Sequence, residues 1–317
     1  MQQRRHTLLA IGAATLAALG ALGAFAPVAH AEEKPKVALV MKSLANEFFR
    51  TMEDGAKAHN KEHKNYVLVS NGIKNETDTA AQIKMVEQMV AQKAQAIVIA
   101  PADSKALVPV LKNAVDKGVI VVNIDNRLDP EALKEKNLNI PFVGPDNRLG
   151  AKLVGERLAK ELKEGDKVGI IEGVSTTTNA QQRTAGFKDA MDAAKMKIVG
   201  VQSGNWEIAN GNTVAAGMMR ENPDLKALLA GNDSMALGAV AAVRAAGKTG
   251  KVLVVGYDNI QAIKPMLKDG RVLATADQFA AKQAAFGIDV ALKAIKDKTP
   301  QAQLPVEVKT DVVLVTK

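Results

Sequence analysis

From Pro35 onward, short apolar runs alternate with longer amphipathic ones. KVALVMKS (36–43), YVLVSNG (66–72), AIVIAPAD (96–103) and VIVVNIDN (119–126) read as strands. EFFRTMEDGAKAHNKEH, residues 77–92 and residues 104–117 read as the helices between them. In the second helix Ile83, Val86 and Val90 share a face, and in the third Leu107, Leu111 and Ala114 do. The strand runs are continuously apolar rather than alternating. That is the pattern of strands buried on both faces, in a parallel sheet covered by helices on each side.

The series then recurs as KVGIIEG (167–173), KIVGVQSG (197–204), ALLAGND (227–233) and KVLVVGYDN (251–259). Val37 corresponds to Val168, Val67 to Ile198, Ile97 to Leu228 and Val119 to Val252, at an offset of 131 to 133 residues. The order and spacing predict two similar lobes, each a parallel sheet flanked by helices. EALKEKNLNIPFVGPDN reads as the connection from the first lobe to the second. The stretch after 270 (VLATADQF, a helix over 280–297, then VEVKTDVVLVTK) is too small for a third domain and is expected to complete the earlier sheets. The chain therefore crosses between lobes more than once, and several thin crossings make a hinge.

The first 31 residues differ. MQQRRH is basic, TLLAIGAATLAALGALGAFA is apolar, and Ala29 and Ala31 occupy the small-residue positions of a processing site. This is the pattern of an export signal cleaved after Ala31. The chain has no cysteine, so neither a disulfide nor a lipid anchor on cysteine is available. The net charge of +8 falls to +6 once Arg4 and Arg5 are removed, and the remaining lysines are interleaved with acids. Nucleic-acid binding calls for a clustered basic stripe, which is missing here.

Ligands of open parallel sheets lie beyond the carboxyl ends of the strands. Lys42, Ser43, Asn46, Phe48 and Phe49 follow the first strand, and Asp125, Asn126 and Arg127 the fourth. In the second half come Glu172, the run Ser175 to Asn179 and Arg183, then Asn205 and Trp206, Asn232 and Asp233, Tyr257 and Asp258, and Gln278. Only ten residues are aromatic, and four of them, including the lone tryptophan, stand at these tips. Planar amides, carboxylates and guanidinium groups beside rings suit a monosaccharide, whose hydroxyls donate and accept in adjacent pairs and whose C–H faces lie on rings. Other readings stand beside this one. Asn46 and Asn232 can cap helices, Asp125 and Asp258 can be turn residues, and Arg183 can pair with Asp189. His59 and His63 sit at i, i+4 but lack a third ligand, which predicts a surface pair and no metal. No phosphate-binding loop and no Gly-x-Ser-x-Gly motif occurs, and no cofactor is called for. Asp125 and Asp258 on opposite lobes leave open a secreted carbohydrate-active enzyme with paired carboxylates.

Taken together, VALVMKSLANEFF, APADSKAL, VVNIDNRLD, QQRTAGF, NWEIANG, GNDSMALGA, VVGYDN and LATADQ resemble, in order, the ligand-contacting segments of periplasmic ribose-type sugar-binding proteins of ABC transporters. The resemblance implies a type I periplasmic binding protein. Its lobes would be 32–144 plus 279–309 and 145–278 plus 310–317, with three hinge crossings. It implies a monomeric, non-catalytic receptor in the periplasm that closes on one sugar and serves a membrane-bound permease, or also a chemoreceptor. Its contacts fall on Lys42, Asn46, Phe48, Phe49, Asp125, Asn126, Arg183, Trp206, Asn232, Tyr257, Asp258 and Gln278. Ribose binders carry serine where Lys42 stands, arginine at Asn126, asparagine at Ala100 and phenylalanine at Trp206. Lys42, Trp206 and KTGKVLVVG look closer to allose-type members, so a pyranose hexose is expected ahead of a pentose or polyol. A repressor of related fold would instead begin with a DNA-reading helix-turn-helix.

Overall fold

The computed structural model describes residues 33–317; the expected export signal and its cleavage after Ala31 lie outside them. The first half contains β1 (Lys36–Met41), α1 (Glu47–His63), β2 (Val67–Gly72), α2 (Thr79–Ala91), β3 (Ala96–Ile99), α3 (Val108–Asp116), β4 (Ile120–Ile124), α4 (Pro130–Glu135) and β5 (Phe142–Pro145). The second contains α5 (Asn147–Ala159), β6 (Lys167–Glu172), α6 (Thr178–Ala193), β7 (Lys197–Ser203), α7 (Ile208–Glu221), β8 (Ala227–Ala230), α8 (Asp233–Ala245), β9 (Leu253–Val255), α9 (Lys264–Asp269) and β10 (Ala274–Asp277). α10 (Ala280–Lys296), β11 (Glu307–Thr310) and β12 (Val313–Thr316) close the chain.

The first sheet runs β2-β1-β3-β4-β5-β11, parallel throughout. The second runs β7-β6-β8-β9, also parallel. Backbone bonds from Leu273 to Val254 and from Asp258 to Ala276 lay β10 beside β9, and β12 pairs antiparallel with β10. The two halves thus share one strand order, with β11 and β12 at equivalent edges. Central strands β1, β3, β4, β6 and β8 are buried almost end to end, as two-sided coverage by helices requires.

The expected connection over 131–147 contains structure of its own. Asp129 caps α4 by accepting from Ala132 N at 2.8 Å, with Pro130 at the first turn. The apolar PFVG then buries Phe142 and Val143 as a fifth strand, too short a run to stand out in the sequence. Helix α3 starts at Val108 rather than 104, because the Asp103 carboxylate accepts from Lys105 N and Ala106 N and holds a turn there. His59 departs from the surface pair expected of it: it is buried, bonded to Tyr66 Oη and Asp289 Oδ1 at 3.0 Å each, where α1 packs on α10. Among the described residues there is no acid-and-histidine cluster able to hold a metal, and no helix is long and apolar enough to cross a membrane.

The chain passes between the sheets after β5, after β10 and after β11. These three strands bring the carboxyl ends of both sheets face to face.

Candidate functional site

Between those ends lies a narrow cleft whose lining side chains are mostly buried. Lys42, Asn46, Phe48, Phe49, Asp125, Arg183, Trp206, Asn232, Asp258 and Gln278 line it, together with Glu76 and Asn179.

Local backbone chemistry aims these groups. Asn46 and Asn232 do cap helices, accepting from Phe48 N (3.1 Å) and Met235 N (2.9 Å), and their amides still face the cavity. Phe48 and Phe49, in the first turn of α1, meet edge to face at 5.2 Å, and both are buried. Asp125, Trp206 and Asp258 hold φ of 60°, 66° and 122°, a region costly for residues with a side chain and found at ligand sites. Trp206 lies flat against Gly173, where an added Cβ would come within 2.1 Å of the indole.

Two charged groups face each other across the space. On one side Lys42, only 2 % exposed, sits 3.6 Å from Glu76 and 3.9 Å from Asp125. Its ammonium is 5.3 Å from the Phe49 ring and 5.4 Å from the Trp206 ring. Asn46 Nδ2 donates to Glu76 Oε1 at 3.0 Å. On the other side Arg183 donates from Nε to Asn147 Oδ1 (2.8 Å) and from Nη1 to Gly231 O (3.0 Å) and Asp258 Oδ1 (3.4 Å). Gln278 Nε2 donates to the same Asp258 oxygen at 2.7 Å. The alternative of an Arg183–Asp189 pair is not realised, since Arg148 takes Asp189.

Glu76 Oε2, Asp125 Oδ2, Arg183 Nη2 and Trp206 Nε1 are buried and have no hydrogen-bond partner. Buried polar atoms are normally paired, and leaving one unpaired costs about 1–3 kcal/mol. The two carboxylate oxygens have the Lys42 ammonium at 3.6 and 3.9 Å but accept no hydrogen bond, and the two donors have no acceptor, all around a single cavity.

Burial dominates the titration of the acids. It pushes Glu76 up to about 7, against the opposing pull of Lys42 and the Asn46 hydrogen bond. Burial likewise raises Asp125, opposed by Lys42 and Arg183, and raises Asp258, opposed by Arg183 and the Gln278 bond. An acid whose folded pKa lies above its unfolded value binds more protons when folded. Its stabilising effect is complete at low pH and is lost as pH rises through the folded value. The unliganded protein is expected to melt at a lower temperature as pH rises from about 4.5 to about 7. Glu76→Gln should flatten that slope; an unchanged slope would show that Glu76 stays hydrated and ionised.

Two residues expected at the site stand behind its wall. The Tyr257 ring packs 3.8 Å from the Arg183 guanidinium, and its hydroxyl lies against Gly150 of α5. It backs Arg183 rather than facing the cavity. Asn126 is consumed by the backbone: it donates to Pro101 O (2.9 Å) and accepts from Asn179 N (3.2 Å). Glu76 was not among the expected contacts, although it follows a strand as the others do. Asn179 ends the polar run after β6.

The chain matches the family model described as a periplasmic binding protein domain over residues 37–299. It is 71% identical over 303 residues to the D-ribose/D-allose-binding protein of Pseudomonas aeruginosa, covering 94% of this chain and 95% of that one. A crystal structure of an ABC transporter solute-binding protein from Burkholderia multivorans, with an unknown ligand built as alpha-D-erythrofuranose, superposes with a TM-score of 0.88 at 72% identity, over 89% of this chain and 99% of the other. The solute-binding protein of Actinobacillus succinogenes with bound D-allose gives 0.82 at 36% identity, over 89% and 98%. With two matching lobes and a polar cavity enclosed between them, the chain belongs to the periplasmic binding protein domain family, a family of binding proteins and not of enzymes.

Proposed function

We propose that this protein is a periplasmic receptor that encloses one neutral monosaccharide, a pyranose hexose of the allose type ahead of a pentose or polyol, and hands it to an ABC permease. The set Glu76 Oε2, Asp125 Oδ2, Arg183 Nη2 and Trp206 Nε1, each without a hydrogen bond, carries the reading. Each hydroxyl of a sugar both donates and accepts, so one small molecule can satisfy acceptors and donors together. Phe48, Phe49 and Trp206 supply ring faces for its C–H surface. The charges are of mixed sign, Lys42 and Arg183 against Glu76, Asp125 and Asp258, which favours a polar neutral ligand over an ion. The names of the relatives point the same way. The lobes in this reading are 32–144 with 279–309 and 145–278 with 310–317, and the exported chain is cut after Ala31 and acts as a monomer.

A thermal-shift screen of the chain from Glu32 onward tests this, since a ligand at about 1,000 times its Kd adds about 4 kcal/mol to the folded state. D-allose is expected to raise the midpoint most, ahead of D-ribose and myo-inositol. Trp206, the lone tryptophan, lines the cavity, so its emission should change in the same titrations. If every neutral sugar and polyol leaves both readouts unmoved, the reading is wrong.

A further inference from the structure

Several contacts hold the two lobes together without lining the cavity. Glu47, in the first turn of α1, accepts from Gln261 N at 2.6 Å and from Ala262 N at 3.3 Å on the segment that precedes α9 in the other lobe. On another rim, Ser104 Oγ accepts from Thr178 N at 2.9 Å, next to the Asn179–Asn126 bond. At the lip Glu207 Oε1 accepts from Glu76 N at 3.4 Å, through one oxygen only. The Glu47 contact is the fuller grip. It is charge-assisted, it engages both carboxylate oxygens, and its partners are backbone groups that any ligand leaves untouched.

We propose that Glu47 is a positioning residue for ligand capture: an interlobe latch whose carboxylate, by gripping the backbone amides of Gln261 and Ala262, sets how long the closed form lasts. Opening the lobes separates the carboxylate from both amides and returns them to water. The contact therefore belongs to the closed form alone and biases closure by its differential energy. A protein with a smaller closed fraction binds every ligand more weakly by one common factor, because only that fraction is competent. Residues of the cavity wall behave otherwise, since each touches a particular hydroxyl or ring face and changes the ranking of ligands.

The inference rests on the receptor reading wherever a sugar is used, so its test includes a readout without ligand. The chain has no cysteine, which lets Thr77→Cys and Asn210→Cys carry a pair of spin labels. They stand one residue from Glu76 and three from Glu207, whose contact across the lip is 3.4 Å. Interlobe distances are measured for this labelled protein with and without Glu47→Gln and Glu47→Ala, empty and with each ligand from the thermal screen. Stopped-flow Trp206 emission gives the rates.

The short-distance population is expected to shrink in Glu47→Gln and further in Glu47→Ala. Dissociation should speed up by about tenfold in the alanine variant, by the same factor for every ligand and with association little changed. Equal distance distributions in variant and parent, empty and liganded, overturn the latch. So does a factor that differs from sugar to sugar, which would make Glu47 part of the wall. If no sugar binds, the receptor reading fails by itself and the empty-state distances still decide on Glu47.

Discussion

Arg183→Met should lower the melting temperature by roughly 6–20 °C and abolish ligand binding. Arg183 is 2 % exposed, and its guanidinium is fixed by Asn147 Oδ1, Gly231 O and Asp258 Oδ1, with the Tyr257 ring against its face. Removing one member of a buried ion pair costs about 3–5 kcal/mol, because the other charge stays behind without compensation. Here the stranded charge is Asp258, left with the single bond from Gln278. Acidification should soften the defect, since a protonated Asp258 no longer requires its cation. The double change Arg183→Met with Asp258→Asn should recover most of the lost stability, yet still fail to bind, because both ligand-facing groups are gone. Calorimetry of the parent, Arg183→Met, Asp258→Asn and the double variant separates the terms. A double variant as unstable as Arg183→Met alone would mean that packing against Tyr257, and not charge, accounts for the loss.

Trp206→Ala should weaken binding by about a hundredfold, the scale of an anchoring aromatic truncated in a desolvated site. Its indole is 3 % exposed, and the ring has the Lys42 ammonium and the Arg183 guanidinium each 5.4 Å from its centre. Truncation also removes core contacts with Gly173 and Gly231, so some loss of stability accompanies it. Trp206→Phe distinguishes wall from donor: it keeps a ring and deletes Nε1, and about a tenfold loss is expected if that atom donates to the ligand. Isothermal titration decides the matter. Wild-type affinity in Trp206→Ala would assign the ring to the core alone and take away one side of the proposed sugar site.

Much of this was legible in the sequence. Helix α1 spans the residues its pattern predicts, 47–63, because its apolar face, capping asparagine and final basic turn agree with one another. The strand-end rule located Lys42, Asp125, Arg183, Trp206 and Asp258 because parallel strands deliver whatever follows them to one end of a sheet. The rule does not resolve direction. Tyr257 and Asp258 are neighbours, and consecutive residues at a strand end point to opposite sides, so only one of them reaches the cavity. Asn126 has the right chemistry but is consumed locally by Pro101 and Asn179. Glu76 was hidden in NGIKNETD, a polar stretch that reads as an ordinary loop until the second strand is treated like the first. β5 was missed because four residues with a glycine and a proline carry little period to detect.

The late return of the chain to its first sheet has a consequence for assembly. α10 packs on α1 and on β4, so closely that a Cβ on Gly55 would meet Ala281 at 2.6 Å and one on Gly287 would meet Ile124 at 2.7 Å. β11 then covers the edge left by β5. A nascent chain that ends before residue 280 leaves the outer face of α1 wet and that edge unpaired. Its first half stays loose until the last forty or so residues emerge, and the many contacts between distant positions make that final collapse slow.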